Sequence, residues 1–237
     1  MLCIGVIVIS NAQGEKESSY EMYALHHITI KQGKAEAALK KMKEHDAKFH
    51  EGKGYVGTIL NGKNAGDVYW TYGPMTFTAM DEYKLPEGHS ADNNQIEAEY
   101  FEEYHSLNFW KNNIDLSNHY PDKELGNMRL FEYIKLNSGK YEDFSGLIKK
   151  HLEVYKKNNL ESFYFYSNPF PNKDGYNHML VIPFAKMAFF DEENKEYKSQ
   201  FEAIHGEGSL KKAGEEWNNC VEGIYVELVA FPPQEKK

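Results

Sequence analysis

The chain is poor in cysteine. Of its 237 residues only Cys3 and Cys220 are cysteines. No Cys-x-x-Cys occurs, so neither a structural zinc pattern nor a disulfide framework can be read from it. Removal of the N-terminus would leave Cys220 alone. A bilayer-spanning run is also lacking. The apolar stretch Leu2 to Ile9, LCIGVIVI, falls far short of the roughly 18 to 20 residues that cross a membrane. Basic excess is missing too: 27 Lys and Arg face 36 Asp and Glu, a formal net charge of −9. Such a chain repels phosphate backbones, and no basic cluster with interleaved aromatics offsets this, so no nucleic-acid partner is expected. Finally, His-Glu-x-x-His, Gly-x-Ser-x-Gly, the Walker loop and Gly-x-Gly-x-x-Gly are all absent. Their absence removes the usual zincin, α/β-hydrolase, P-loop and dinucleotide signatures. His205-Gly206-Glu207 stands without the cysteines of a deaminase.

What is abundant is aromatic surface, 17 Tyr and 14 Phe, which favours a β-containing fold with packed rings or a lined cavity. The N-terminal apolar run ends in Ser10-Asn11-Ala12, small at both positions that a signal peptidase reads for a cut before Gln13. Residues 1–12 are therefore expected to be a signal peptide and 13–20 a polar spacer. That implies export to the periplasm or beyond, with no membrane span after removal. The charged opening of a signal peptide is missing, as it would be if the true start lay upstream. A buried strand is the competing reading of the same run.

One stretch occurs twice. Glu21 to Lys34, EMYALHHITIKQGK, returns as Asn127 to Lys140, NMRLFEYIKLNSGK, at a constant offset of 106 residues (21 to 127, 34 to 140). Met22, Ile28, Gly33 and Lys34 recur as Met128, Ile134, Gly139 and Lys140. Each copy alternates as a strand, turns at a glycine and enters a helix. The first helix, Lys34 to His50, places Ala35, Ala38, Leu39, Met42, His45 and Phe49 on one stripe. The second, Tyr141 to Asn158, does so with Phe144, Leu147, Ile148, His151, Leu152 and Tyr155.

The first half continues with strands at 55–60 and 67–72, a polar loop at 81–94, a helix over 96–112 and a short strand at 116–120. The second half continues with strands at 162–166 and 178–184, the latter interrupted by Pro183, which must sit at an edge, a bulge or the strand end. Helices at 193–205 and 209–219, broken at Gly206 and Gly208, precede a last strand at 224–231. The expected organisation is a first unit at 21–120, a linker at 121–126, a second unit at 127–231 and a tail at 232–237. Trp110 and Trp217 fall at corresponding places in the two units.

Each half reads βαββαβ, the ferredoxin-like order. One sheet face is covered by helices, and the other must find a partner. Two such units in one chain resemble the dimeric α+β barrel superfamily in tandem-duplicated form, over about Glu21 to Phe231. The resemblance implies an α+β protein whose two repeats pack sheet to sheet as an intramolecular barrel. It also implies a monomer, since the second unit is already supplied. Members of that superfamily include cofactor-free monooxygenases of the antibiotic-biosynthesis type, haem-dependent enzymes, isomerases and proteins without known activity. Fold alone selects none of these.

Strand parity supplies the site candidates. Opposite the helix-facing Ile28, Ile30, Ile134 and Leu136 lie Tyr23, Leu25 and His27 in one half and Arg129, Phe131 and Tyr133 in the other. Tyr23, His27, Arg129, Phe131 and Tyr133 are thus the expected lining of a pocket for a small apolar or aromatic molecule between the sheets. There His27 would act as a base and Arg129 as an anion anchor. The plainer alternative is that these residues simply fill the inter-sheet core. His26 and His27, as strand neighbours, point to opposite faces and do not chelate one ion together. His45 and His151 are again 106 apart. Each is expected to be a buried helix-face histidine without a second ligand at metal spacing, so no metal is expected. Haem is not excluded. The acidic run from Glu97 to Glu103 reads as a solvated helix face, and Cys220 as an inert small hydrophobe.

Overall fold

Alternation along the strands decides the architecture. A computed structural model describes residues 20–119, 126–170, 172, 174–191 and 195–232. The expected signal peptide, nearly all of the spacer and linker, and most of the tail lie outside the described residues. The first half comprises β1 (Tyr20–Ile30), α1 (Ala35–Phe49), β2 (Gly54–Ile59), β3 (Val68–Met75), α2 (Phe77–Glu82), α3 (His89–Tyr100) and β4 (Phe101–Asn113). The second comprises β5 (Met128–Leu136), α4 (Tyr141–Lys157), β6 (Tyr164–Ser167), β7 (Tyr176–Phe184), α5 (Tyr197–His205), α6 (Ser209–Cys220) and β8 (Val221–Ala230).

The strands close into one antiparallel barrel in the order β1-β3-β2-β8-β5-β7-β6-β4. Within each half the order is the same: β4-β1-β3-β2 and β8-β5-β7-β6. These are two ferredoxin-like units packed as an intramolecular α+β barrel. The seams between them are narrow. β2 meets β8 at Thr58↔Ala230 and Ile59↔Val229, and β4 meets β6 at Lys111↔Ser167 and Asn112↔Tyr166.

Parity holds as expected. Ile28 of β1 buries against Ala38 and Met42 of α1, with Ile96 of α3 completing that layer. Ile134 of β5 buries against Phe144, Ile148 and Leu152 of α4, with Cys220 at the end of α6. A further layer of Leu147, Val154, Phe201 and Ala213 ties α4 to α5 and α6. Full burial of one such aliphatic side chain is worth about 1.5–3 kcal/mol. The opposite faces fill the barrel with Leu25, Ile59, Tyr69, Trp110, Phe131, Tyr133, Met179, Val181 and Val229.

The main departure lies between residues 96 and 120. The helix expected over 96–112 ends at Tyr100, and β4 then runs along nearly all of β1, from Phe101 opposite Ile30 to Asn113 opposite Tyr20. Tyr104 and Leu107 suggested a helical stripe, yet both are exposed on this strand. The apolar spacing there was not a buried face. Trp110 consequently points into the barrel, whereas Trp217 sits in the helix layer of the second half. The two tryptophans are not structural counterparts. The segment expected as a strand at 116–120 supplies only an isolated bridge, Asn118 to Phe163. The polar stretch expected as a loop at 81–94 holds the end of α2 and the start of α3. Gly88 precedes α3 in the left-handed conformation that suits glycine.

Candidate functional site

Three interior positions of β1 and β5, Leu25, Phe131 and Tyr133, lie in the barrel core. The rings fill the space between the sheets. Tyr69 stacks on Phe131 at 5.9 Å, Trp110 tilts onto Tyr133 at 5.8 Å, and Tyr133 stacks on Tyr225 at 5.9 Å. The lining expected for a pocket between the sheets therefore packs largely against itself at this level.

One carboxylate enters this core. Glu227 of β8 is fully buried. It accepts hydrogen bonds from the Tyr69 hydroxyl, from Tyr225 Oη at 2.8 Å and from Asn64 Nδ2 at 2.8 Å. Tyr133 Oη in turn donates to Tyr69 Oη at 3.1 Å. Burial, followed by the neighbouring Tyr133 and Glu227, pushes the Tyr69 hydroxyl well above the usual phenol range. Burial does the same to Tyr133. Both phenols thus stay protonated as donors. A buried carboxyl group is tolerated when its oxygens are met by donors in this way.

His27 stands one step outward, against the Tyr69 ring at 5.3 Å. Its Nε2 lies 2.8 Å from Asp67 Oδ2, just before β3, with the two side chains 13% and 14% exposed. Because a carboxylate only accepts, Nε2 carries the proton and Nδ1 the lone pair in the neutral ring. Thr29 donates to Asp67 Oδ1 at 2.7 Å, and His105 Nε2 of β4 reaches Thr29 Oγ1 at 2.7 Å and Asp67 Oδ2 at 3.6 Å. His27, Asp67 and His105 bring one ligand atom each within 4.8 Å of one another. The end of the barrel therefore holds an oriented imidazole, a second imidazole and a carboxylate, backed by buried phenols.

Tyr23 and Arg129 are placed elsewhere. Tyr23 lies four residues before His27, roughly 13 Å along the strand. Its ring meets Tyr166 edge-on at 5.9 Å. Arg129 Nη1 donates to the Gly126 and Met128 carbonyls at 3.0 and 2.8 Å, and the guanidinium lies 5.8 Å from the Phe231 ring. Burial lowers the Arg129 pKa and raises that of Tyr23. The five candidates thus divide. His27 belongs to the polar end, Phe131 and Tyr133 to the packed middle, and Tyr23 and Arg129 to the opposite end.

Sequence reasoning missed Asp67, Thr29 and His105 as partners of His27, and Tyr69 and Glu227 behind it. His105 was hidden inside an expected helix. Glu227 offered a readable signal, since a carboxylate alternates there with Tyr225, Val229 and Phe231 on an inward face.

The two equivalent histidines also part company. His151 Nδ1 meets Tyr197 Oη at 2.5 Å, and its ring packs on Phe201 at 5.0 Å. Burial, then His205 and Lys150, lowers its pKa to about 4. The cavity beside it, about 250 Å³ and lined by Lys150, Phe201, His205 and Glu216 among others, falls below the roughly 300–1,000 Å³ of ligand pockets. Another, about 150 Å³, lies under α3 against Trp70 and Tyr72. Neither space is of haem size, so the residues around these two cavities do not fit that group. His45 is not the solitary histidine expected. Its Nε2 stands 3.3 Å from His89 Nε2, which stands 3.0 Å from His50 Nε2.

No family model matches the chain, and no curated protein matches it. Solved structures do. A proposed monooxygenase from Lactobacillus acidophilus is 14% identical with a TM-score of 0.57, covering 89% of this chain and 93% of that one. An anthrone oxidase-like protein is 11% identical with a TM-score of 0.54, covering 90% and 92%. A mutant chlorite dismutase from Candidatus Nitrospira defluvii is 8% identical with a TM-score of 0.53, covering 92% and 93%. At such identities the likeness concerns the fold, and activity must be argued from the site.

Proposed function

We propose that this α+β barrel binds a small aromatic molecule at its His27 end. The observation that carries the reading is the convergence of His27, Asp67, Thr29 and His105 from β1, the approach to β3, and β4 on one rim of the barrel. The filled middle argues for a ligand held over this rim rather than deep between the sheets. The His105 side chain, 30% exposed, presents the ring that such a ligand would meet first.

A second reading is favoured by the His27–Asp67 pair: cofactor-free oxygenation or isomerisation of the bound molecule. An imidazole oriented by a carboxylate is a general base. For an anthrone-type substrate, His27 Nδ1 would take a proton from the ring methylene while Asp67 steadies the imidazolium. The carbanion so formed reduces molecular oxygen. One anthrone and one O₂ then yield one anthraquinone and one water. Anthrone is therefore the probe of choice. Quenching of protein fluorescence should report binding, and oxygen uptake should report turnover. His27→Ala and Asp67→Asn should each lower turnover at least tenfold over the uncatalysed background. Binding without turnover retains the first reading alone. Equal binding by wild type and a double variant His27→Ala/His105→Ala would remove both.

We also infer export and a monomeric state. The apolar run with its small-residue exit supports export, and a barrel that closes within one chain already supplies each unit with a partner sheet, which supports a monomer. No helix among the described residues is long and apolar enough to cross a membrane. Export predicts that secreted or periplasmic protein begins at Gln13. N-terminal sequencing that finds Met1 on the exported form would refute the cut.

A further inference from the structure

The contacts at the end of α1 contain more nitrogen lone pairs than protons. His45 lies in the last half of α1, His50 caps it, and His89 opens α3. The His45 ring is buried, and its Nδ1 donates to Asp92 Oδ2 at 2.8 Å. An ionised carboxylate only accepts, so Nδ1 holds the proton of the neutral ring and Nε2 is bare. Tyr83 Oη donates to the Phe49 carbonyl at 3.2 Å and lies 3.4 Å from His50 Nδ1. Its own proton being committed, it accepts from His50 Nδ1–H, which leaves His50 Nε2 bare as well. Both bare nitrogens face His89 Nε2, at 3.3 and 3.0 Å. His89 can supply one proton to two contacts.

A cation resolves this mismatch. Tetrahedral bonds of ~2.0–2.1 Å to imidazole place neighbouring ligand nitrogens about 3.3 Å apart. The separations of 3.3 and 3.0 Å are close to that edge, and all three ligand atoms lie within 4.8 Å of one another. The cage is also held in place. His45 packs against Phe49 at 4.9 Å and Trp70 at 5.4 Å, and His50 against Tyr72 at 4.4 Å. Asp92 behind His45 reproduces the carboxylate–histidine pairing that orients metal-bound imidazoles. Three neutral imidazoles suit the zinc class of divalent ions better than magnesium or calcium, which prefer oxygen.

We propose that His45, His50 and His89 form a binding site for a zinc-class divalent metal ion that clips α1 to α3. The half-exposed His50 and His89 leave the fourth position to water. The ion links the two helices across the segment 51–88, on the outer face of the first unit. The site stands apart from the barrel end and does not depend on what binds there.

The test uses Co²⁺ with the full chain stripped by EDTA. Wild type should bind one Co²⁺ with the visible absorption of a tetrahedral site, and an equivalent of Zn²⁺ should abolish that absorption. His89→Ala and His50→Gln should lose it while keeping the wild-type circular dichroism. Asp92→Asn should weaken binding roughly 10- to 100-fold. His27→Ala should keep it unchanged. Zn²⁺ should raise the melting temperature of wild type and leave that of His89→Ala unmoved. A wild-type chain without the absorption, its retention at full affinity in His89→Ala, or its loss in His27→Ala would overturn the proposal.

Discussion

At the residue scale, Glu227 is the least expected side chain in the barrel, and its tolerance there depends on its donors. Replacing it with Leu keeps the volume but leaves Tyr69, Tyr225 and Asn64 without their acceptor. Each buried unpaired group costs about 1–3 kcal/mol, so Glu227→Leu should lower unfolding stability by on the order of 2–5 kcal/mol. Tyr225→Phe, which removes only one donor, should cost about 1 kcal/mol. Urea unfolding measures both, and a Glu227→Leu loss no larger than that of Tyr225→Phe would discount the network. Histidines give a pH prediction with a definite sign. Burial lowers His151 and His178 from the ordinary 6.5 to about 4 in the folded chain. His178 lies flat on Phe165 at 5.7 Å. Between those values the unfolded chain binds the extra protons, so stability falls as pH drops from about 6.5 toward 4 and is flat in these groups above it. Urea midpoints at pH 7.5, 6 and 5 should decline in that order, less steeply in a His151→Phe/His178→Phe variant. Inward and outward parity was legible from residues such as Leu25, Ile28, Phe131 and Ile134. Partnerships were not. His27 with Asp67, or His45 with His89, join residues 40 or more apart, and no local pattern encodes such a meeting.

At the scale of elements, the strand–turn–helix stretches were the most legible because two signals agreed there, the alternation of β1 and β5 and the full stripes of α1 and α4. The run from α3 into β4 was illegible because two periods coincide. Ile96 and Tyr100 bury on a helix, and Tyr104 and Leu107 extend their spacing onto a strand that exposes both. What decided the outcome was pairing with β1, a tertiary interaction. The narrow β2–β8 seam is sensitive to crowding. A Cβ on Gly57 would lie 2.6 Å from Val229 Cγ1 and 2.8 Å from the Phe231 ring. Gly57→Val should therefore cost about 1–3 kcal/mol through overpacking. A wild-type urea midpoint for this variant would show that the seam can open without penalty.

At the scale of the whole molecule, the βαββαβ order of each half was enough to reach the closed barrel, because a sheet with one bare apolar face has few ways to cover it. The two halves share strand order but not polar content. β1 carries Tyr23 and His27 where β5 carries Arg129 and Tyr133, and the histidine–carboxylate end is built mainly from the first half. Light scattering during size exclusion should give the mass of one chain at micromolar concentration. A dimer mass would count against the monomer proposed above. The central claim is that ligands meet the molecule at the His27 end. The most direct measurement follows the ring nitrogens of ¹⁵N-labelled histidines by NMR as anthrone is added. The signals of His27 and His105 should move together and saturate, while those of His151 and His178 stay in place. Shifts confined to His151 and His178, or no histidine shift at all, would contradict the claim.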